Sequence, residues 1–277
     1  MSIRYPRKFG WWLAGICAAV AALVLMRVIQ HMNEDVKKVY CAKHLQLIGS
    51  ALRTYESAHG SLPPAFVTDK AGRPTVSWRV LILPYLGYDD LFRQIRLDEP
   101  WDSPHNLPLA RLMPDVYRCP EDTEAKEGET SYVAVTGAET LWPGAKGKRL
   151  TDLGGRSLTT TILLVEVAHS GISWMEPRDL PFEVAAKGVT NGGKSGVVCC
   201  HPCWGGDEGV YNGYNQGVVG YRLYGANCLF ALGFVRTVSD AVSPKTMAQL
   251  LTAENDPNIE FIHEIMDIWG HNTMAVK

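Results

Sequence analysis

Cysteine and histidine are concentrated in one short segment of the C-terminal half. Cys199, Cys200, His201 and Cys203 fall within five residues of one another. Thiolate and imidazole at such short spacing are typical zinc ligands. A structural zinc site usually needs a second ligand pair, however, and the nearest further thiol is Cys228. Three interpretations stay open, namely a zinc site, a local disulfide or reduced loop thiols, and zinc is the least favoured.

Two other cysteines lie where a covalent link would join distant parts of the chain. Cys41 is on the apolar stripe of a predicted helix, and Cys119 ends a predicted strand before Pro120. We predict a disulfide between them, which would stabilise the fold by about 2–5 kcal/mol because it closes a long loop. The alternative is that both are buried thiols, which pack as small apolar side chains.

A third group combines tryptophan with charged and polar residues, at Trp78, Arg79, Trp101, Asp102, His105 and Glu166. In a structural interpretation, Arg79 forms a buried ion pair with Asp102 or Glu166 and fixes a proline-rich loop on the sheet. In a functional one, Trp78 and Trp101 form an aromatic wall, and Arg79 contacts an anion or a sugar. We favour the structural interpretation and keep these six residues as a candidate binding site.

Two motifs that are common in enzymes are absent from the sequence. There is no G-x-S-x-G nucleophile motif and no G-x-G-x-x-G dinucleotide motif. The net charge of -2 argues against nucleic acid as a partner, since binding phosphates requires a basic surface. We predict no catalytic activity and no cofactor.

The elements that position these residues begin with an apolar run that leads into an amphipathic helix. No charged residue occurs from Phe9 to Met26, which reaches the length of a transmembrane helix. Helical spacing then continues in one apolar stripe, formed by Cys41, Leu45, Ile48, Leu52 and Tyr55. We predict a cytoplasmic N-terminus at 1–8, a transmembrane helix at 9–29, a stalk helix at 30–60 and a head at 61–277.

The apolar run is longer than the core of a signal peptide, so we interpret it as an uncleaved anchor. The protein is then a single-pass protein of the cell membrane, with its head outside the cytoplasm. Basic residues lie on both sides of the run, so charge alone does not fix the orientation.

The head mixes predicted strands with short helices. Strands are predicted at Val116–Cys119, Ser131–Val135 and Thr161–Val167, and a hairpin turns at Leu232-Gly233. Short helices are predicted at Asp89–Ile95, from Pro244 and from Pro257, with Met266 on the apolar face of the last. We therefore predict an α+β fold in which the long N-terminal helix packs on a mainly antiparallel sheet.

Several segments, in order along the chain, resemble a bacterial family of domains of unknown function, family 1559. They are Cys41 to Ala65, Ser77-Trp78-Arg79, Leu83 to Leu86, Trp101 to Asn106, Cys119-Pro120, Thr130-Ser131-Tyr132, Thr161 to Leu163 with Glu166, Trp174, Pro177 and Asp179-Leu180. The resemblance covers about Val39 to Val238. It implies a prepilin-like N-terminal helix, an exported head with a pseudopilin-like layout, and no established activity.

The chain departs from this family at both ends. Arg222 and Leu232 stand where the family's C-terminal H-x9-DG motif has its histidine and aspartate. Leucine adopts positive φ at a cost of about 1–2 kcal/mol, so we expect a different turn there. Gly15 stands where pilins have a glutamate, which argues against processing and filament assembly.

We therefore predict a membrane-anchored cell-envelope protein of structural or interaction type, pseudopilin-like in layout. Its partners would be the membrane, through residues 9–29, and other envelope or pseudopilin-like proteins. The alternative is an extracytoplasmic module that binds a solute or a glycan.

Overall fold

The computed structural model describes residues 7–153, 155–190, 197–198, 225–240, 242–253 and 265–266. The backbone divides into two units, Met1–Val39 and Tyr40–Lys277. Helix α1 is Arg7–His59, and its side chains are described at Cys17, at 19–28 and from Val39 onward. The predicted span at 9–29 thus lies partly outside the described side chains. Among the described residues, no helix has both the length and the apolar character needed to cross a membrane.

Three β-sheets are formed by ten strands in the described residues. The largest has six strands in the order β10-β9-β8-β4-β3-β5, with only the β3–β5 pair parallel. Strands β1 and β2 pair antiparallel, and β6 and β7 pair parallel. The strands are β1 Phe66–Thr68, β2 Pro74–Ser77, β3 Tyr132–Thr136, β4 Ile162–Glu166, β5 Leu180–Pro181, β6 Val189–Thr190, β7 Val197–Val198, β8 Gly225–Phe230, β9 Val235–Ser239 and β10 Ile265–Met266.

Short helices connect and cover these strands. The α-helices after α1 are α2 Trp78–Leu81, α3 Asp89–Gln94, α4 Gly155–Thr160, α5 Phe182–Ala185 and α6 Pro244–Leu251. The 3₁₀ helices are Leu83–Leu86, Leu107–Leu112, Asp115–Tyr117 and Leu150–Asp152.

The large sheet is covered on both faces because its strands carry apolar side chains on alternate sides. One face packs against α1, whose Leu45, Ile48 and Leu52 are fully buried. The approach is close, since a Cβ added at Gly49 would lie 2.9 Å from a methyl carbon of Leu229. The other face packs against the apolar side of α6. Helix α6 begins at the predicted place, because the Ser243 hydroxyl accepts a hydrogen bond from the Thr246 N–H.

Most predicted elements of the head are confirmed. The sheet is mainly antiparallel, so the α+β class holds, and α3 starts at the predicted residue. The hairpin turns as expected, with positive φ at Gly233 and not at Leu232. Helix α1 ends where Gly60 takes φ +78.

Two element predictions are wrong. Val116–Cys119 is not a strand, because hydrogen bonds from Tyr117 N to Pro114 O and from Arg118 N to Asp115 O close a 3₁₀ turn. Met266 lies in strand β10, paired with Thr237, and not in a helix. The rest of that predicted helix lies outside the described residues.

Candidate functional site

Arg79 and Asp179 form an ion pair at the centre of the head. Their side chains are 0% and 1% exposed. Arg79 also donates to the Tyr132 carbonyl (3.1 Å) and to the Ser77 hydroxyl (2.7 Å). Asp179 accepts from the indole N–H of Trp78 (3.1 Å). These bonds join α2 to β3 and to the residue before β5, and the Ser77 hydroxyl also caps α2 by accepting from the Arg79 backbone N–H. The pair therefore fixes how α2, β3 and β5 meet.

The predicted partner of Arg79 is therefore wrong, although the buried pair itself is present. The carboxylate comes from Asp179, whereas Asp102 is exposed and Glu166 lies elsewhere in the core. Asp179 reaches Arg79 because it directly precedes β5, whose parallel pairing with β3 places it near the Ala134 N–H, from which it accepts at 2.8 Å. Trp78 and Arg79 are both 0% exposed, so neither offers a surface to an external ligand.

The proline-rich segment around Trp101 is organised by Asn106, a residue that sequence reasoning missed. Its side-chain N–H groups lie 2.9 Å from the Arg96 carbonyl, 3.3 Å from the Glu99 carbonyl and 3.1 Å from the Pro100 carbonyl. Its carbonyl oxygen accepts from the Arg96 N–H at 3.0 Å, and the residue is fully buried. An asparagine at the end of a turn-rich segment is the sequence signal that could have found it, since asparagine side chains often bond to nearby backbone groups in turns.

The other predicted residues of this segment do not form one site. Trp101 is half-buried, and its backbone N–H donates a hydrogen bond to the Thr75 carbonyl of β2. Asp102 and His105 are exposed, and His105 contacts the Gln94 carbonyl at 2.9 Å.

Replacing Asn106 by aspartate is expected to destabilise the head by about 3 kcal/mol. A carboxylate would face three carbonyl oxygens in a buried position, where an unpaired charge is costly. The free energy of unfolding measured in urea checks this. The opposite exchange at an exposed neighbour, Asp102→Asn, should change the stability by less than about 0.5 kcal/mol, and equal effects of the two substitutions would contradict the role of Asn106.

The predicted disulfide between Cys41 and Cys119 is present, with Cα atoms 5.1 Å apart. It joins α1 to the segment that follows the 3₁₀ helix Asp115–Tyr117. The Tyr132 hydroxyl donates to the Cys41 carbonyl at 3.2 Å, and the Cys119 N–H donates to the Ser131 hydroxyl at 3.0 Å. Both sulfurs lie in the core, because the two residues are 0% exposed.

Glu166 lies beside this disulfide, at the end of β4, and is also 0% exposed. Its carboxylate accepts from the Asn227 amide at 2.7 Å, and the Asn227 carbonyl oxygen accepts from the Thr237 hydroxyl at 3.0 Å. His44 lies on the same side of α1, where its Nδ1 is 3.0 Å from the Arg118 carbonyl. Burial lowers the pKa of His44, and the Arg118 hydrogen bond and the charges of Asp115 and Glu166 oppose this only in part.

Acidification should therefore destabilise the head through His44. Its folded-state pKa lies below the value of about 6.5 in the unfolded chain, so the unfolded state binds more protons as the pH falls below about 6.5. Through His44, the free energy of unfolding should fall by at most about 1.4 kcal/mol for each pH unit of acidification. Urea unfolding between pH 7.5 and 5 checks this. His44→Gln should flatten the profile, and Lys70→Gln, at an exposed position away from His44, should not. Parallel profiles for wild type and His44→Gln would exclude the effect.

A second polar cluster holds the segment after Cys119. Asp122 accepts from the Ser131 hydroxyl at 2.9 Å and lies 3.1 Å from Nδ1 of His169. His169 has φ +49, a left-handed conformation that histidine adopts more readily than most residues. Burial raises the pKa of Asp122. The cluster links the segment after Cys119 to β3 and to the residues that follow β4.

Residues 188–195 match the spacing G-x-x-x-x-G-K-[ST] of phosphate-binding loops. Such a loop follows a strand and opens a helix. Here α5 precedes Gly188, β6 lies inside the motif, and β7 follows it at Val197. Residues 191–196 lie outside the described residues. The surrounding elements do not have the order that a nucleotide site requires.

The Cys199, Cys200, His201 and Cys203 segment also lies outside the described residues. The three interpretations of that segment remain predictions.

The fold and these sites define an α+β protein whose buried polar side chains connect its helices, strands and loops. Residues 30–162 match the model of a family described as "Protein of unknown function (DUF1559)". This match confirms the resemblance over residues 30–162, which are just under half of the chain. The matched range ends at the start of β4, so the resembling segments around Trp174 and Asp179 lie beyond it. No curated protein and no solved structure matches the chain.

Proposed function

We propose that this chain is a membrane-anchored protein of the bacterial cell envelope with a structural or interaction role and no catalytic activity. Its N-terminal helix lies in the membrane, and its head lies outside the cytoplasm. The layout is that of a pseudopilin, in which a long N-terminal helix continues into the packed helix of an α+β head.

The observation that carries this proposal is the exposed apolar surface near the N-terminus of α1. Side chains between 49% and 60% exposed occur there in close succession, at Val20, Leu23, Val24, Leu25, Met26 and Val28. Four of them are consecutive and so point to all sides of the helix. A helix that is apolar all round is stable only when it is buried in protein or in lipid. Together with the uncharged run from Phe9, this favours lipid.

Membrane extraction tests the anchor. The full chain should stay in the membrane pellet after alkaline carbonate treatment, whereas Leu23→Arg with Val24→Arg should release a large part of it. An arginine at the centre of a span costs about 2.5–3.5 kcal/mol, and Leu23 and Val24 lie within five residues of the centre of 9–29, so each costs somewhat less than this. Leu47→Arg is the matched control, since Leu47 is also an exposed leucine of α1, at 46%, but belongs to the packed unit. Complete extraction of the wild type would refute the anchor.

The oxidation state of Cys41 and Cys119 in living cells tests the location of the head. Disulfides persist outside the cytoplasm and are reduced inside it. Because both residues are 0% exposed in the folded head, cells are quenched with acid and the thiols are alkylated under denaturing conditions before mass spectrometry. Both cysteines should remain unalkylated, and quantitative alkylation of both would place the head in the cytoplasm.

A glycan-binding role is the second candidate, and one surface feature favours it. The rings of Tyr55 and His59 stack at 4.0 Å, and Tyr85 meets Tyr55 edge-on at 5.8 Å. These rings are only partly buried and could stack on a sugar. Calorimetric titration of the full chain with chitotriose tests this, with Tyr85→Ala as the variant. Binding that Tyr85→Ala abolishes would support the role, and no heat at millimolar sugar would end it.

A further inference from the structure

Three potential metal ligands meet at the disulfide. The sulfur atoms of Cys41 and Cys119 and a carboxylate oxygen of Glu166 all lie within 4.8 Å of one another. The three residues come from α1, from the segment after the 3₁₀ helix Asp115–Tyr117 and from the end of β4, and each is 0% exposed. Two thiolates and one carboxylate are a ligand set that suits zinc.

We propose that the reduced head binds one Zn²⁺ through Cys41, Cys119 and Glu166, in the place that the disulfide occupies in the oxidised head. The two states exclude each other, since the same sulfur atoms either bond to each other or bind the metal. Newly made chains are dithiols, so the metal form would precede the disulfide. This assignment goes beyond the envelope role and does not depend on it.

The chemistry balances with a simple reductant. A trialkylphosphine gives its electron pair to the S–S bond, takes an oxygen atom from water and becomes a phosphine oxide, which leaves two thiols. Zn²⁺ then displaces the two thiol protons to solvent. Two thiolates and one carboxylate carry three negative charges against two positive ones, so the occupied site has a net charge of -1.

The geometry requires only a small adjustment. Zinc–sulfur distances of about 2.3 Å in a tetrahedral site place two sulfurs about 3.8 Å apart, compared with about 2.05 Å in a disulfide. The sulfurs therefore separate by roughly 1.7 Å, which is within the reach of side-chain rotation about Cα atoms 5.1 Å apart. A fourth ligand, such as a water molecule, would complete the tetrahedral site.

The carboxylate is already oriented for this role. The Asn227 amide donates to one oxygen of Glu166 at 2.7 Å, and the Thr237 hydroxyl in turn donates to Asn227. Hydrogen bonds of this kind hold a metal ligand in place, and their loss typically weakens binding about 10- to 100-fold. The network thus supports binding by Glu166 without movement of β4.

The test uses the full chain in detergent, with Cys199, Cys200 and Cys203 replaced by serine to remove the other thiol cluster. The protein is reduced with a trialkylphosphine, incubated with ZnCl₂ and desalted, and zinc is counted by elemental analysis. We expect about one zinc per reduced chain and none per oxidised chain. Glu166→Gln should weaken binding at least about tenfold. The control Glu124→Gln, whose carboxylate is 83% exposed, should bind as the parent does.

Two results would overturn the proposal. One is a reduced parent protein that binds no zinc, and the other is equal affinity in the parent and in Glu166→Gln. If reduction unfolds the head, near-ultraviolet circular dichroism follows its recovery, because a ligand of the native state shifts the folding equilibrium toward that state. Zinc must then restore the folded signal in the parent and not in Glu166→Gln, and failure to do so overturns the proposal as well.

Discussion

Replacing Asp179 by alanine is expected to lower the free energy of unfolding of the head by about 3–5 kcal/mol, the usual cost of removing one partner of a buried ion pair. Arg79 would keep its charge at 0% exposure without a carboxylate beside it. The Trp78 indole N–H and the Ala134 N–H would lose their acceptor at the same time. Urea unfolding of the full chain in detergent, followed by tryptophan fluorescence, measures the loss.

Two further variants separate the buried charge from other effects. Asp179→Asn keeps one acceptor oxygen, which can still accept from Arg79 and from the Ala134 N–H, while its NH2 group faces the Trp78 N–H. It should therefore cost less than alanine does, although it loses both the charge and one acceptor. Arg93→Ala removes an ion pair with Asp90 whose side chains are 66% and 91% exposed, and should change the stability by less than about 1 kcal/mol. If Asp179→Ala cost as little as Arg93→Ala, the pair would not be holding the head together.

The parts of the fold that depend on local spacing were predictable from the sequence. Gaps of three and four residues placed Cys41, Leu45, Ile48 and Leu52 on one face of α1, and all four are fully buried. The start of α6 followed from Ser243 directly before a proline, a pattern whose physical cause lies within a few residues.

The wrong predictions concern choices that spacing does not determine. Asp179 lies 100 residues from Arg79, and only the pairing of β5 with β3 brings them together. Nothing local in the sequence distinguishes Asp179 from Asp102 as the partner. At Val116–Cys119 the error has another cause, since a short, mostly apolar run of four residues fits a 3₁₀ turn as well as a strand.

Glu166 shows the same limit for the candidate site. Its place on β4 was predicted, and strand alternation put it on one of two faces of the sheet. That this face meets the sulfurs of Cys41 and Cys119 depends on how α1 lies across the sheet. The sequence could therefore identify Cys41, Cys119 and Glu166 as candidate residues, but it could not show that the three lie next to one another.

Replacing both Cys41 and Cys119 by alanine is expected to lower the free energy of unfolding by about 2–5 kcal/mol. The two residues are 78 positions apart, so the disulfide removes considerable freedom from the unfolded chain. Because α1 and the 115–122 segment otherwise meet through side-chain packing and hydrogen bonds, the native contacts around Tyr132 should survive. Urea unfolding without reductant measures the loss. The free energy of unfolding should also depend more steeply on the urea concentration, because the unfolded chain without the disulfide is more expanded.

Reduction of the wild type provides the matched comparison. With Cys199, Cys200 and Cys203 replaced by serine in both proteins, the reduced parent should unfold at about the same urea concentration as the double variant, and the double variant should not respond to reductant. Cys17→Ser, which changes an exposed cysteine outside the disulfide, should leave the transition where it is. A wild type that is as stable reduced as oxidised would mean that packing of α1 on the sheet, and not the covalent link, fixes the helix to the head.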